Sequence, residues 1–441
     1  MTPSAPSSDS REPRILLADA DAFFVAVARL VDPEGAGKAR LLIVGGRPGS
    51  RGVVCSASYE ARAYGVRSGM GIAQALRLCP EAMAVPVPRG ACGEKSRAIQ
   101  QVLDRFAPVV VAASVDEFYL DLTGTEALYQ GETLEATARR IRQAVIDDTG
   151  CSISIGGGTS TLIAKIAAGA AKPIPGSGAT GVHIVPAGAE EALVRTQPLA
   201  EIPGIGPKAQ ERLSRLGLVR VPDVLDADPA VIRRYLGEKL AVWLIRKARG
   251  QGASALHDRD QQKGMSREDT FDRDIGDDAA LEIELQRLAV RVVADLRKDG
   301  LRARTITVKL RTNDFTTKLA SKTLETPVST ERPVFLAARH LLRKLRQQKR
   351  LPVRLLGVGL SQLDDGDLAE QLSLLPDGAP LVEETPRDRA LAVALDRVRA
   401  RYGAGAVQPA SLLQDAAPAS VEDRTETDGP RRAPRSPDHR V

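Results

Sequence analysis

Aromatic side chains are scarce in this sequence: Phe, Trp and Tyr together make up 3% of it, with a single Trp. Its cores must therefore be built from Ala, Leu, Val and Ile. Cysteine and histidine are rarer still, at four each. No two of Cys55, Cys79, Cys92 and Cys151 form a Cys-x-x-Cys pair and the histidines are scattered, which argues against a zinc site. No apolar run is long enough to span a bilayer, and the Ser- and Pro-rich start, Met1 to Arg14, lacks the apolar core of a signal peptide. A reduced, cytoplasmic protein with no membrane partner is the expectation. Nor does one sign of charge dominate: 62 Lys and Arg against 56 Asp and Glu give +6. The distribution is less even. Residues 291–350 hold 16 Lys or Arg against 5 Asp or Glu, a local excess of +11 that suits a polyanion, or else a solvated face. At 441 residues the chain is too long for one ordinary core, and two to four domains are expected.

What is present is acid in apolar surroundings. Ala113-Ser114-Val115-Asp116-Glu117-Phe118-Tyr119-Leu120-Asp121 follows Pro108-Val109-Val110-Val111 and reads as a buried strand carrying two adjacent carboxylates. Strands rarely bury carboxylates without a partner. Neighbouring strand side chains face opposite ways, so Asp116 and Glu117 can serve one site only at a strand end or on irregular backbone. A second acidic pair, Asp19 and Asp21, ends the apolar run Arg14-Ile15-Leu16-Leu17-Ala18. Two such strands side by side gather carboxylates that repel one another unless divalent cations neutralise them, and hard oxygen donors select Mg²⁺ or Mn²⁺. Spacing alone leaves open that these are strand-end acids facing water.

Further along, Tyr59 and Arg62 stand three apart and share a helix face, where a guanidinium fork and a phenol could hold a triphosphate. The plainer reading is an exposed Arg beside a half-buried Tyr. Leu199 to Leu213 is built as two helices joined by Pro203-Gly204-Ile205-Gly206, a helix-hairpin-helix whose glycines let the backbone approach a phosphate, or a tight turn between helices. Trp243 and Leu244 are expected to pack beneath it. In Ala303 to Arg311 the alternation turns Ile306, Val308 and Leu310 inward and Thr305, Thr307, Lys309 and Arg311 outward. That outward row offers the hydroxyls and cations that phosphate binding needs.

Four blocks occur in order: Asp19-Ala20-Asp21-Ala22-Phe23-Phe24, Ser56-Ala57-Ser58-Tyr59-Glu60-Ala61-Arg62, Ser114-Val115-Asp116-Glu117 and Ala164-Lys165-Ile166-Ala167. With them the chain resembles, over roughly residues 14–375, the Y-family translesion DNA polymerases, in the DinB or DNA polymerase IV branch. The resemblance implies an α+β multidomain right hand. Residues 14–25 and 86–170 would be a ferredoxin-like antiparallel palm, 26–85 small fingers, and 171–249 a helical thumb with the helix-hairpin-helix. A linker at 250–262 would lead to an α/β little finger at 263–363. Residues 1–13 would be disordered, 364–375 a linker with a clamp-binding peptide, and 376–441 a mostly disordered tail, with room for a short helix at Leu391 to Val398.

The implied activity is template-directed, low-fidelity translesion synthesis by two-metal nucleotidyl transfer from dNTPs to a primer 3′-hydroxyl. Asp19, Asp116 and Glu117 would be catalytic, holding two Mg²⁺ (or Mn²⁺) together with the carbonyl of Ala20. Phe23, Phe24, Ser56, Tyr59, Arg62 and Lys165 would contact the nucleotide, with Phe24 as the steric gate against ribose. The implied partners are primer-template DNA, dNTPs and a sliding clamp bound through Gln371-Leu372-Ser373-Leu374-Leu375, for a protein expected to be monomeric and bacterial. The sequence departs from the family pattern at Ala28, where Glu is usual, at Cys92 (often Tyr), at Val111 (usually Glu), and at Ser160-Thr161, where a basic pair is usual. The alternative is a catalytically weak or inactive relative serving as a DNA-binding scaffold in a repair complex. Such a scaffold should have lost its metal ligands, and this chain keeps all three acids.

Overall fold

A computed structural model describes residues 12–174, 178–256, 262–348, 350–365, 384–403 and 405–412. It divides into an N-terminal unit ending at Asp258 and a second unit from Arg259 to Thr425. Among the described residues no helix is long and apolar enough to cross a membrane.

The first strand, β1 (Ile15–Ala20), is buried along nearly its whole length because it has a neighbour on each side. A left-handed residue, Ala22 at φ 46° and ψ 46°, then turns the chain into α1 (Phe23–Val31). A small three-stranded sheet follows, from β2 (Leu42–Gly45), β3 (Val54–Ala57), the short helices α2 (Tyr59–Ala63) and α3 (Ile72–Leu78), and β4 (Met83–Pro86). Its order is β3-β2-β4, with Ile43, Val54, Ala61, Val66 and Ile72 as its core. The Ser58 hydroxyl caps α2 by accepting from the Ala61 N–H, which fixes where Tyr59 and Arg62 begin their shared face.

The chain then returns through α4 (Arg89–Leu103), β5 (Val109–Ala112), β6 (Glu117–Asp121), α5 (Leu134–Thr149), β7 (Ile153–Gly158), α6 (Thr161–Ala171) and β8 (Val182–Ile184). The resulting sheet runs β5-β6-β1-β7-β8. Its first four strands are antiparallel, in the order of a ferredoxin-like βαββαβ unit. The strand β8 adds a parallel edge beside β7, since α6 supplies the crossover that a parallel neighbour requires. One face of the sheet packs Leu16, Ala18, Phe118 and Leu120 against Ile99, Leu103, Ile141 and Val145 of α4 and α5. On the other face Ile15 and Leu17 meet Ala164 and Ala168 of α6. That helix lies almost on the backbone of β7: a methyl group on Gly156 would stand 1.9 Å from the Ala168 nitrogen and 2.3 Å from the Ala164 carbonyl oxygen. Small residues on both elements are what bring α6, and the lysines at its middle and end, down onto the acidic strand ends.

Five helices follow: α7 (Glu190–Arg195), α8 (Pro207–Ser214), α9 (Val221–Asp226), α10 (Pro229–Leu236) and α11 (Glu238–Ala248), around Leu199, Ile202, Leu213, Val221, Ile232 and Leu244. The turn before α8 carries Gly204 at φ +100°, and a Cβ there would sit 2.7 Å from the Trp243 ring. Only glycine allows both the left-handed backbone and the close approach.

The second unit is built from β9 (Gly264–Ile275), α12 (Asp278–Lys298), β10 (Arg302–Thr312), β11 (Thr317–Val328), α13 (Glu331–Gln348) and β12 (Val353–Asp364). The antiparallel sheet is ordered β11-β10-β12-β9, and α12 and α13 cover one face. Ile306, Val308 and Leu310 lie in that core, while Thr305, Thr307, Lys309 and Arg311 stand on the uncovered face. There Thr305 bonds Thr323 at 2.9 Å, Thr307 bonds Ser321 at 2.9 Å, and Lys309 pairs with Glu268 at 2.7 Å.

Within residues 376–441, where the sequence allows for a short helix at Leu391 to Val398, the described residues form the longer α14 (Pro386–Tyr402), a 17-residue helix. Thr385 and Asp388 form a reciprocal capping box at its start. Arg297, only 10% exposed, then holds Asp396 at 2.7 Å and Glu331 at 2.9 Å, and Arg399 reaches the same Glu331 at 3.3 Å. These partners lie 30 to 100 residues away in sequence, beyond the reach of local pattern. The Gln371–Leu375 peptide and most of residues 1–13 lie outside the described residues.

Candidate active site

The acidic strand ends meet at the centre of the five-stranded sheet. Asp19 on β1 stands opposite Glu117 on β6 in the antiparallel register. The Ala20 N–H donates to the carbonyl oxygen of Asp116 at 2.9 Å, which fixes Asp116 at the same level. The conflict between alternating strand side chains and a shared site is resolved by a bend. Residues 113–116 leave strand geometry, and Glu117 is the first residue of β6. Ser114 makes that bend, accepting from the N–H groups of Asp116 at 3.2 Å and Glu117 at 3.1 Å. Its hydroxyl also donates to the Asp116 carboxylate.

Two lysines stand on these acids. Lys165 pairs with Glu117 at 2.5 Å and Lys172 with Asp19 at 2.8 Å. Burial raises the Asp19 carboxyl above the usual carboxylate range; Lys172 opposes this, and the nearby Glu117 and Asp116 add to it. Burial lowers Lys172, while Asp19, Tyr59 and Asp21 together raise it, and its net shift is upward. Asp21 belongs elsewhere: its two oxygens accept from the hydroxyls of Ser152 and Ser154, both at 2.7 Å, which ties the acidic turn to β7.

Among the described residues no group of three His, Cys, Asp or Glu side chains is arranged to hold an ion, and lysines engage two of the three acids. The donor chemistry nevertheless fits hard divalent cations. It is all oxygen, it gathers negative charge close enough for Asp19 to respond to both neighbours, and it already attracts cations.

The expected nucleotide contacts divide. Tyr59 and Arg62 do share a face of α2, with the Arg62 guanidinium carbon 5.1 Å from the Tyr59 ring centroid and its Nε donating to the Ala57 carbonyl at 2.9 Å. The Tyr59 hydroxyl is buried with no hydrogen-bond partner. Burial first, then the charge of Asp21, push its pKa up, while Lys172 and Arg62 pull the other way. Phe24 is half-buried, edge-on to Phe23 with centroids 5.6 Å apart at 64°. Phe23 and Ser56 are buried, at 2% and 5% exposed. Lys165 was expected on the phosphates and here holds Glu117. Lys172, which stands on Asp19, is not among the site residues expected from the sequence.

Known proteins share this chain's sequence and fold. Residues 18–169 match the impB/mucB/samB family and residues 262–374 match that family's C-terminal domain. The DNA polymerase IV of Dehalococcoides mccartyi is 35% identical over 395 residues, 90% of this chain and 96% of its own. That of Caulobacter vibrioides is 34% identical over 398 residues, 90% and 93%. A Y-family DNA polymerase chimera built on Dbh superposes with a TM-score of 0.69 at 25% identity, covering 79% of this chain and 98% of that one. The insertion ternary complex of Dbh DNA polymerase gives 0.53 at 26%, with the same coverage. Together they define a right-hand polymerase fold with palm, fingers, thumb and little finger. The chain belongs to the impB/mucB/samB family of Y-family DNA polymerases, in its DinB or DNA polymerase IV branch.

Proposed function

We propose that this chain, a DNA-directed DNA polymerase of the translesion class, extends primers with low fidelity by two-metal nucleotidyl transfer from dNTPs. The observation that carries the mechanism is the meeting of Asp19, Asp116 and Glu117 at adjoining strand ends with a lysine on two of them. Asp19, Asp116, Glu117 and the carbonyl of Ala20 would hold two Mg²⁺, with Mn²⁺ able to replace them. When bound, such ions act as Lewis acids on the primer hydroxyl and the leaving pyrophosphate. The chain's own contribution is placement and charge. Tyr59, Arg62 and Lys172 face one another electrostatically around Asp19 and would clamp the triphosphate. The Phe24 ring would lie under the sugar. The Gly204 turn and the uncovered face of β10 would follow the DNA backbone without reading bases.

Primer extension by the purified protein with Mg²⁺ or Mn²⁺, on undamaged and lesion-bearing templates, tests the reading. Template-dependent products past at least some lesions are expected. DNA binding without any extension under either metal would favour the inactive scaffold.

The clamp is a separate expectation. Leu372, Leu374 and Leu375 would anchor in a pocket on the sliding clamp, each contributing ~1.5–3 kcal/mol before ordering costs. Replacing Leu374 and Leu375 by Ala should weaken clamp affinity at least tenfold and shorten clamp-stimulated products, with clamp-free insertion unchanged. A loss of clamp-free insertion instead would mean that these leucines support the fold.

A further inference from the structure

We propose that Phe315, backed by Arg354, is a stacking site for an unpaired nucleobase of bound DNA. Phe315 sits at the tip of the β10–β11 hairpin in the second unit, is 65% exposed, and is the one Phe among the described residues in the exposed class. A lone exposed Phe is ordinary on most surfaces. Three observations set this one apart.

The first is strain. Phe315 has φ +63°, the left-handed region that a bulky side chain occupies only at a cost. The second is how firmly the turn is held there. The Phe315 N–H donates to the Thr312 carbonyl at 2.9 Å, the Thr312 N–H to Thr316 at 3.0 Å, and the Asn313 N–H to Pro352 at 3.0 Å. The Asp314 carboxylate accepts from the Thr316 N–H at 3.0 Å and from the Thr312 hydroxyl, so the local acid is used inside the turn. A glycine or asparagine would make this turn without strain; the chain instead holds a ring rigidly in solvent. The third is its partner. The Arg354 guanidinium carbon lies 4.8 Å from the ring centroid, a cation on one face that leaves the other for a second flat group.

Charge selects the occupant. Arg354 lies against the ring and Arg311 pairs with Thr317 at the base of the hairpin, and β10 continues from there as the hydroxyl-and-cation row. A polyanion is drawn to such a surface, and its bases have the flat faces that stack on aromatics irrespective of sequence. An unpaired base has its face available; a paired base inside a duplex does not.

This inference rests on the DNA polymerase reading, and the test separates the two. The full-length protein is titrated onto a blunt duplex and onto the same duplex carrying a single-stranded template overhang with 2-aminopurine at successive positions. The wild type should favour the overhang DNA and quench the probe at one position. Phe315→Ala should lose five- to tenfold in affinity on overhang DNA alone and lose the quench, and Phe315→Trp should keep both. Insertion rate at saturating DNA should not change. Phe315→Gly should melt no lower than wild type, because glycine suits the backbone, yet lose the overhang preference as Ala does. A lower melting point for Phe315→Gly with the preference intact would make the ring structural and overturn the proposal. Equal losses on both DNAs, no loss on either, or a defect confined to clamp-stimulated synthesis would overturn it too, the last by pointing to an apolar protein pocket. Failure of the wild type to bind either DNA would instead defeat the polymerase reading itself.

Discussion

Replacing Asp116 by Ala is expected to cut primer extension at least ~10³-fold, a loss of ~4 kcal/mol of transition-state stabilisation, while duplex affinity stays within a few-fold. Asp116 lies on the bend made by Ser114, and its carbonyl is bonded to the Ala20 N–H whatever the side chain is. The substitution therefore removes a charge and leaves the backbone path in place. The described hydrogen bond of its carboxylate is to Ser114, within the palm, so DNA retention should survive. Asp121→Ala is the matched control. It sits at the other end of β6, where its carboxylate accepts from the Thr123 N–H at 2.9 Å. It should keep near-normal turnover with a small loss of stability. Asp116→Ala at near-normal turnover would remove it from the active site, and comparable losses for both variants would mean that the effect comes from the strand, not the charge.

The acids were legible because carboxylates in a buried strand are expensive, and the sequence shows both the expense and its repetition at Asp19 and Asp116. The alternation of β10 was legible for the same kind of reason: period two is written residue by residue. The position of α6 was not. It follows from Gly156 lying against Ala164 and Ala168, a contact between elements that becomes informative only once the sheet order is known. Lys172 depends on that contact, so its place over Asp19 could not be read from the chain, and the expectation fell instead on Lys165, which the structure sets on Glu117. The helix α14 was underestimated because the groups that hold it, Arg297 and Glu331, are far away in sequence and its own composition is polar. Phe23 and Phe24 are successive residues of α1, about 100° apart around its axis, so one ring enters the core while the other stays half-buried.

That separation leads to the second large effect. Phe24→Ala is expected to raise the ratio of ribonucleotide to deoxynucleotide insertion by at least ~100-fold, about 2.7 kcal/mol of lost discrimination, while deoxynucleotide insertion falls by no more than about tenfold. A steric gate works only if the ring cannot move aside. Here Phe23 is 2% exposed and meets Phe24 edge-on, and Phe24 also packs against both the palm core and the small cluster of Val25 and Leu42. The left-handed Ala22 fixes the angle at which α1 brings in both rings. A ring wedged on these sides would exclude a 2′-hydroxyl by contact alone. The same packing predicts a stability cost for Phe24→Ala, below the ~3–5 kcal/mol of a fully buried Phe because this ring is only half-buried. Measuring the melting point with the two insertion rates divides the roles. A fall in stability with an unchanged nucleotide ratio would make Phe24 a core residue. A large change in the ratio with a modest fall in stability would make it the gate, and Phe24→Tyr, which keeps the ring, should then retain discrimination against ribose.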